Sequence, residues 1–179
     1  MNFTNTSNEY GPVAKFFHWL VFLFVFLQVL VGYFMEDIPG KILQGVVINA
    51  HKLLGIIILI FIILRAIWAL MNPKPSLPVG TPSWEYFAEH GMHFLLYFIL
   101  LAMPLFGWIG SSAAGRYPRF GSYTLSLPVP QSKEIVEIAF FMHNNLAILL
   151  IILVSLHVCA ALYHHFIRKN NILRRMWIY

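Results

Sequence analysis

Apolar residues run almost unbroken through four stretches of the chain, and the polar residues collect between them. The stretches are about Val13 to Phe34, Leu43 to Leu70, Tyr86 to Ile109 and Ile135 to Phe166. Each exceeds the ~20 residues that a helix needs to cross a ~30 Å hydrocarbon layer. Backbone in lipid has no water to bond, so such a run must satisfy its own N–H and C=O groups as a helix. The breaks between runs carry turn and capping residues. Glu36, Asp37, Pro39 and Gly40 turn the chain after the first run. Asn72-Pro73-Lys74-Pro75 stops the second, because proline cannot continue the hydrogen-bond ladder. Thr81-Pro82 reads as an N-cap with proline in the first turn, Pro104 as a kink, and Ser132 as the cap of the fourth helix. Residues Met1 to Gly11 read as a short disordered polar tail, and Gly110 to Gln131 as the longest connection. The exit of the first run, Gly32-Tyr33-Phe34-Met35, lacks a small-x-small cleavage pattern, so that run is expected to be retained as a span.

Composition agrees with lipid as the main solvent. Of 179 residues, 59% are hydrophobic and only 11% charged, with mean hydropathy +0.73. A soluble domain of this size would expose more charge. The expectation is an all-α integral membrane four-helix bundle forming a single transmembrane domain over 1–179. The lone Cys159 cannot form an intrachain disulfide, and no CxxCH is present to attach heme covalently. The formal charge of +5 bears on orientation, and no nucleic-acid partner is expected. Four spans put both termini on one side, with Lys15, Arg65, Lys74, Arg168, Lys169, Arg174 and Arg175. The other side has Lys41, Lys52, Arg116, Arg119 and Lys133. The positive-inside rule then predicts a multi-pass bacterial inner (plasma) membrane protein with both termini cytoplasmic.

Histidines supply the candidate chemistry. His143 and His157 lie on the fourth span fourteen residues apart. Fourteen steps of about 100° fall within ~40° of whole turns, so both leave one face, ~21 Å apart along the axis. His18 starts the first span on the termini side, and His51 lies early in the second span on the other side. Two pairs at matching depth follow, His18 with His157 and His51 with His143. Each joins two helices across a bundle core, as bis-histidine heme ligation requires, with both axial positions of an iron filled. A zinc site fits less well, because the histidines pair at two depths instead of clustering.

Other residues are placed by the same reasoning. Arg65 falls fourteen residues after His51 and could hold a heme propionate through its guanidinium; the alternative is snorkelling to lipid headgroups. Gly32 and Gly55 could let a flat macrocycle approach the backbone, or simply serve helix packing. His93 could contact a quinone or the inner heme. His90, His164 and His165 read as interfacial.

These segments resemble the bacterial cytochrome b561 family, four-helix di-heme b membrane cytochromes. The resemblance rests on Ala14-Lys15-Phe16-Phe17-His18-Trp19-Leu20, on Asn49-Ala50-His51-Lys52-Leu53-Leu54-Gly55 with Arg65, and on His90 and His93 followed by Met103-Pro104-Leu105. It extends through His143-Asn144-Asn145-Leu146-Ala147 and the stretch Leu156-His157-Val158-Cys159-Ala160-Ala161-Leu162-Tyr163-His164-His165-Phe166. The resemblance implies two non-covalent heme b groups, with His18 and His157 ligating the cytoplasmic-side iron and His51 and His143 the periplasmic-side iron. It also implies electron transfer to ubiquinone, and one branch of the family oxidises superoxide at the periplasmic face. Lys52, Arg116 and Arg119 could then steer superoxide, a small anion, toward the outer heme. Glu36, Asp37, Glu134 and Glu137 on the same side oppose any general field, so steering would have to be local.

The expected activity is that of a superoxide:ubiquinone oxidoreductase with membrane lipid around it. The rival reading is a heme b anchor or relay subunit passing electrons between quinone and a soluble partner dehydrogenase, with Gly110 to Gln131 as the docking surface. A heme-free proton-coupled transporter is the third, and an absorption spectrum separates it from the others.

Overall fold

A computed structural model of the chain describes residues 3–78 and 80–177; the extreme residues of the expected domain, 1–2 and 178–179, and Val79 lie outside the described residues. Four helices dominate: α1 (Pro12–Phe34), α2 (Lys41–Met71), α3 (Ser83–Ala113) and α4 (Lys133–Phe166). All four are long and apolar enough to cross a membrane, so the protein is an all-α membrane four-helix bundle. At 1.5 Å per residue, a helix of 31 residues extends ~46 Å, well beyond the ~30 Å hydrocarbon layer. That excess explains why α2, α3 and α4 start among polar residues: Lys41, Ser83 with Glu85, and Lys133 with Glu134.

The bundle is not packed evenly. α1 packs on α2, α2 on α3 and α3 on α4, whereas the backbones of α1 and α2 stay clear of α4 over most of their length. At mid-depth Val21, Ile58, Ile62, Ile99, Leu100, Met103, Leu146, Leu150 and Leu153 form one buried cluster. Close packing matters more here than burial from water, since lipid tails are as apolar as leucine. Phe22, Phe26, Ile60, Ile63, Phe98, Ile148 and Ile152 are exposed from the same helices and face the hydrocarbon.

Three local expectations meet corrections or refinements. Thr81 does not cap α3: its hydroxyl donates to the Pro78 carbonyl at 2.7 Å, and Pro82 occupies the cap position with the helix starting at Ser83. Ser132 does cap α4, accepting from the Ile135 N–H. The amino-terminal segment is not disordered over its described residues. Asn5 donates to the Pro73 carbonyl at 3.0 Å and accepts from the Gly11 N–H at 2.9 Å, and the Ser76 N–H donates to the Ser7 carbonyl at 2.9 Å. One buried asparagine thus satisfies two chain segments. Burial and the nearby Glu89 carboxylate push the Tyr10 phenol in this segment up to about 12.

The long connection between α3 and α4 also holds more order than its composition suggests. β1 (Arg119–Phe120) and β2 (Tyr123–Thr124) form a minimal antiparallel hairpin. Gly121 turns it at φ 60°, a left-handed conformation suited to glycine. The Trp108 indole N–H donates to the Leu125 carbonyl at 2.9 Å, and the Leu127 N–H to the Ser112 hydroxyl at 3.1 Å, fastening the loop to the end of α3.

Candidate functional site

The structure brings the four expected histidines together as two pairs. His51 and His143 have ring centres 6.2 Å apart, and His18 and His157 have centres 6.3 Å apart. A metal-bound imidazole nitrogen lies ~2 Å from its metal and the ring centre ~1 Å beyond, so two imidazoles sharing one metal have centres ~6 Å apart. Both pairs reach from α4 to a helix whose backbone does not pack closely against it. A flat macrocycle needs that separation, so the residues fit heme on this observation.

The outer pair is framed by small residues and by oriented hydrogen bonds. The His143 Nδ1–H donates to the Met103 carbonyl at 2.8 Å, which leaves its Nε2 lone pair available to a metal. A methyl group built at Gly107 would sit 2.9 Å from His143 Nδ1, and one at Gly32 would sit 3.0 Å from His51 Cε1. Gly32 therefore makes room for the outer ring itself. A methyl group at Gly55 would instead meet Gln28, 3.4 Å from its amide nitrogen. Gln28, only 6% exposed, donates to the His51 carbonyl at 2.6 Å. Sequence reasoning missed Gln28 and Gly107. The signal for Gln28 was a single amide within an otherwise apolar run. Gly107→Val should force the His143 ring aside and weaken retention of an outer cofactor roughly tenfold, as overpacking of 1–3 kcal/mol implies. Heme content after detergent washing measures this, and unchanged content would remove Gly107 from the site.

The inner layer holds three imidazoles. His93 lies 5.6 Å from His157 between ring centres, beside His18. Spacing alone does not choose between His18 and His93 as the partner of His157. Helix packing favours His18: α3 lies directly against α4, whereas α1 stands off it as an intervening macrocycle would need. Arg65 points into the bundle, with Nη2 at 3.1 Å from His18 Nδ1 and its guanidinium 5.4 Å from the Tyr97 ring centre. It does not snorkel outward. Glu89 lies 3.7 Å from His93 and pairs with Lys74 at 2.9 Å. His90 is exposed, its ring tilted at 39° to that of Tyr86 with centres 4.1 Å apart, and its ring N–H donates to the Tyr86 carbonyl at 2.8 Å. His164 lies 3.9 Å from Glu85.

Outside the outer pair, the three expected steering cations gather. Lys52 donates to the Arg116 carbonyl at 2.8 Å. Asn49 clasps the backbone of Arg119 twice, at 2.9 and 2.8 Å. Lys52, adjacent to His51 in sequence, feels both guanidinium charges. No group of three or more His, Cys, Asp or Glu side chains suited to a lone metal ion occurs among the described residues.

A membrane four-helix bundle with facing imidazoles at two depths has the architecture of a b-type cytochrome. The chain belongs to the prokaryotic cytochrome b561 family, whose model matches residues 9–178. It is similar to cytochrome b561 homolog 2 of Escherichia coli (strain K12), 31% identical over 98% of this chain and 95% of the relative. Cytochrome b561 homolog 1 of the same organism is 29% identical over 94% of this chain and 97% of that protein. A third relative, named probable superoxide oxidase CybB, from Yersinia pestis, is 28% identical over 94% and 95%. Family membership supports transmembrane electron transfer with heme b as the cofactor.

Proposed function

We propose that the chain carries electrons through two non-covalent b hemes, from superoxide on the outer, periplasmic side to ubiquinone on the inner side. His51 and His143 would hold the outer heme, and His18 and His157 the inner one. The observation that carries the reading is the pair of near-equal ring spacings, 6.2 and 6.3 Å, across helices that do not pack. Heme b, when bound, would supply a one-electron couple between these two pairs of histidines. Two superoxide anions lose one electron each and leave as dioxygen; one quinone takes both electrons with two protons to become the quinol. Both termini then lie in the cytoplasm of a bacterial inner membrane.

The chain's own residues have defined tasks in this scheme. Met103 orients His143 through its carbonyl. Iron on His18 Nε2 would leave the proton on Nδ1, which cannot accept from Arg65. The guanidinium would then need an anion, and a heme propionate has the right charge and shape. His93 and Glu89 line the inner side, where a quinone would collect protons. Lys52, Arg116 and Arg119 concentrate superoxide at the outer opening, a role supported by their mutual placement and by the printed name of the Yersinia pestis relative.

Two measurements test the proposal. Reduced-minus-oxidised spectra with heme quantified should give two b hemes per chain; none would return the histidines to a relay role. The steering cations are tested by salt. Each unit charge acts on an anion ~10 Å away with ~0.4 kcal/mol in water, so Lys52→Glu should cost about fourfold in superoxide oxidation at low salt. Near 0.15 M salt the loss should shrink below twofold. Lys52→Gln controls for the lost tether to Arg116. A loss independent of salt removes Lys52 from steering. The relay-subunit reading draws support from the hairpin tip, where Phe120 and Tyr123 are 72% and 75% exposed. A stoichiometric soluble redox partner on purification would favour it.

A further inference from the structure

Past the end of α4 the chain turns through 167–173 into a single 3₁₀ turn, η1 (Arg174–Met176), on the side of the termini. Under that turn lies a cavity of about 300 Å³ lined by His165, Lys169, Asn170, Asn171 and Arg174. No acidic residue lines it. The tail carries four cations, and two of them are committed elsewhere. Arg168 bonds Glu85 at 2.5 Å, and Arg175 donates to the Ser76 carbonyl. The acids within reach are also taken, Glu85 by Arg168 and Glu89 by Lys74. Lys169 and Arg174 form no ion pair and no side-chain hydrogen bond among the described residues, so both charges remain unspent at the cavity.

The frame of the cavity is built. Asn170 donates from its side chain to His164 Nδ1 at 2.9 Å and from its backbone to the His164 carbonyl at 3.0 Å. Its own carbonyl oxygen of the side chain accepts from the Ile172 N–H at 3.3 Å. Lys169 is held at φ 53°, a left-handed conformation that a lysine adopts only when its neighbours fix it. His165 Nδ1 is shut away from solvent with no partner among the described residues. The end of a helix is electronegative and ordinarily repels an anion. Here the last carbonyls are covered: Tyr163 accepts from the Ile167 and Arg168 N–H groups, and His164 from Asn170.

We propose that this cavity binds phosphate, presented as the headgroup of an anionic phospholipid. Arginine grips a phosphate bidentately, lysine adds a point charge, and the histidine and asparagine side chains can donate to its oxygens. A lipid fits better than a free ion because apolar side chains flank the cavity along the chain. Phe166, Ile167 and Trp177 are 65%, 68% and 50% exposed, and tryptophan favours the level of the headgroups. Basic pockets at this level of a membrane protein bind anionic headgroups by such charges.

The test uses the whole heme-loaded protein, delipidated in non-ionic detergent and titrated with phosphatidylglycerol, phosphatidylcholine or inorganic phosphate. Native mass spectrometry counts what is bound. One phosphatidylglycerol should be held at least tenfold more tightly than phosphatidylcholine. Replacing both cations, K169Q with R174Q, should weaken it about 25-fold, at about fivefold per cation, with heme content unchanged. Should the double variant fail to fold, each single variant should show its fivefold loss. Lys133→Gln, at the far side of the bundle, should leave lipid binding as it was. Inorganic phosphate displacing the lipid at low millimolar levels, with the same sensitivity to the two cations, supports the phosphate site and overturns the lipid source. Equal retention of the two lipids, or indifference to K169Q and R174Q, overturns the proposal entirely.

Discussion

His143→Ala is expected to halve the heme content of the purified protein, from two hemes per chain to one, as counted by pyridine hemochrome. His51→Ala should do the same, because an iron gripped by two axial imidazoles loses half its protein ligands in either variant. His18→Ala and His157→Ala should each remove the other heme, leaving the outer signal in place. His93→Ala is the discriminating control. Its ring lies 5.6 Å from His157, against 6.3 Å for His18, so spacing alone leaves it a rival ligand. The packing of α3 against α4 says otherwise, and His93→Ala should keep both hemes. The effect on stability runs the same way. A cofactor that binds only the folded state stabilises by mass action, so each ligand variant should melt earlier than His93→Ala. Two hemes retained in His143→Ala would remove the outer site as drawn.

Much of this arrangement was legible in the chain, for reasons that are specific. The four spans follow from unbroken apolar runs because lipid leaves the backbone no alternative to the helix. The depth of each histidine follows from counting residues along a helix of known rise, which is how His51 was paired with His143 and His18 with His157. Helix ends were less legible. α2 begins at Lys41 and α3 at Ser83, because helical structure continues past the hydrocarbon where polarity no longer marks it. Thr81 misled because a capping side chain can satisfy another carbonyl just as well, here that of Pro78.

Lateral arrangement was the part that periodicity could not reach. Counting residues gives the depth of a side chain and its face, and it does not say which neighbouring helix that face meets. That α4 packs on α3 and stands off α1 and α2 depends on the sum of many side-chain fits, such as Gly110, where an added methyl would sit 3.2 Å from Ala139 and 3.3 Å from Phe140. Gly107 belongs to the same class of hidden feature. One glycine among eleven gains meaning only when the His143 ring is seen 2.9 Å from where its side chain would be. Arg65 shows the opposite case. Its sequence position allowed either an inward or a snorkelling guanidinium, and the contacts with His18 and Tyr97 choose the inward one.

Superoxide-driven quinone reduction should fall to the uncatalysed rate in both His143→Ala and His18→Ala, since the proposed route passes through both sites in series, ~21 Å apart along α4. The two variants should nevertheless fail differently. His18→Ala keeps the outer pair beside Lys52, Arg116 and Arg119, so a pulse of superoxide should still produce one absorbance change per chain, without quinol. His143→Ala keeps the inner pair and loses the point of entry, so superoxide should produce no change, while quinol added in excess should still reduce the remaining heme. Stopped-flow absorbance with a quinol assay on the same samples separates these outcomes. An absorbance change kept in His143→Ala and lost in His18→Ala would mean that superoxide reaches the chain at the inner layer, contrary to the placement of the cations. Normal turnover in either variant would break the series arrangement, because no electron could then need both pairs of imidazoles.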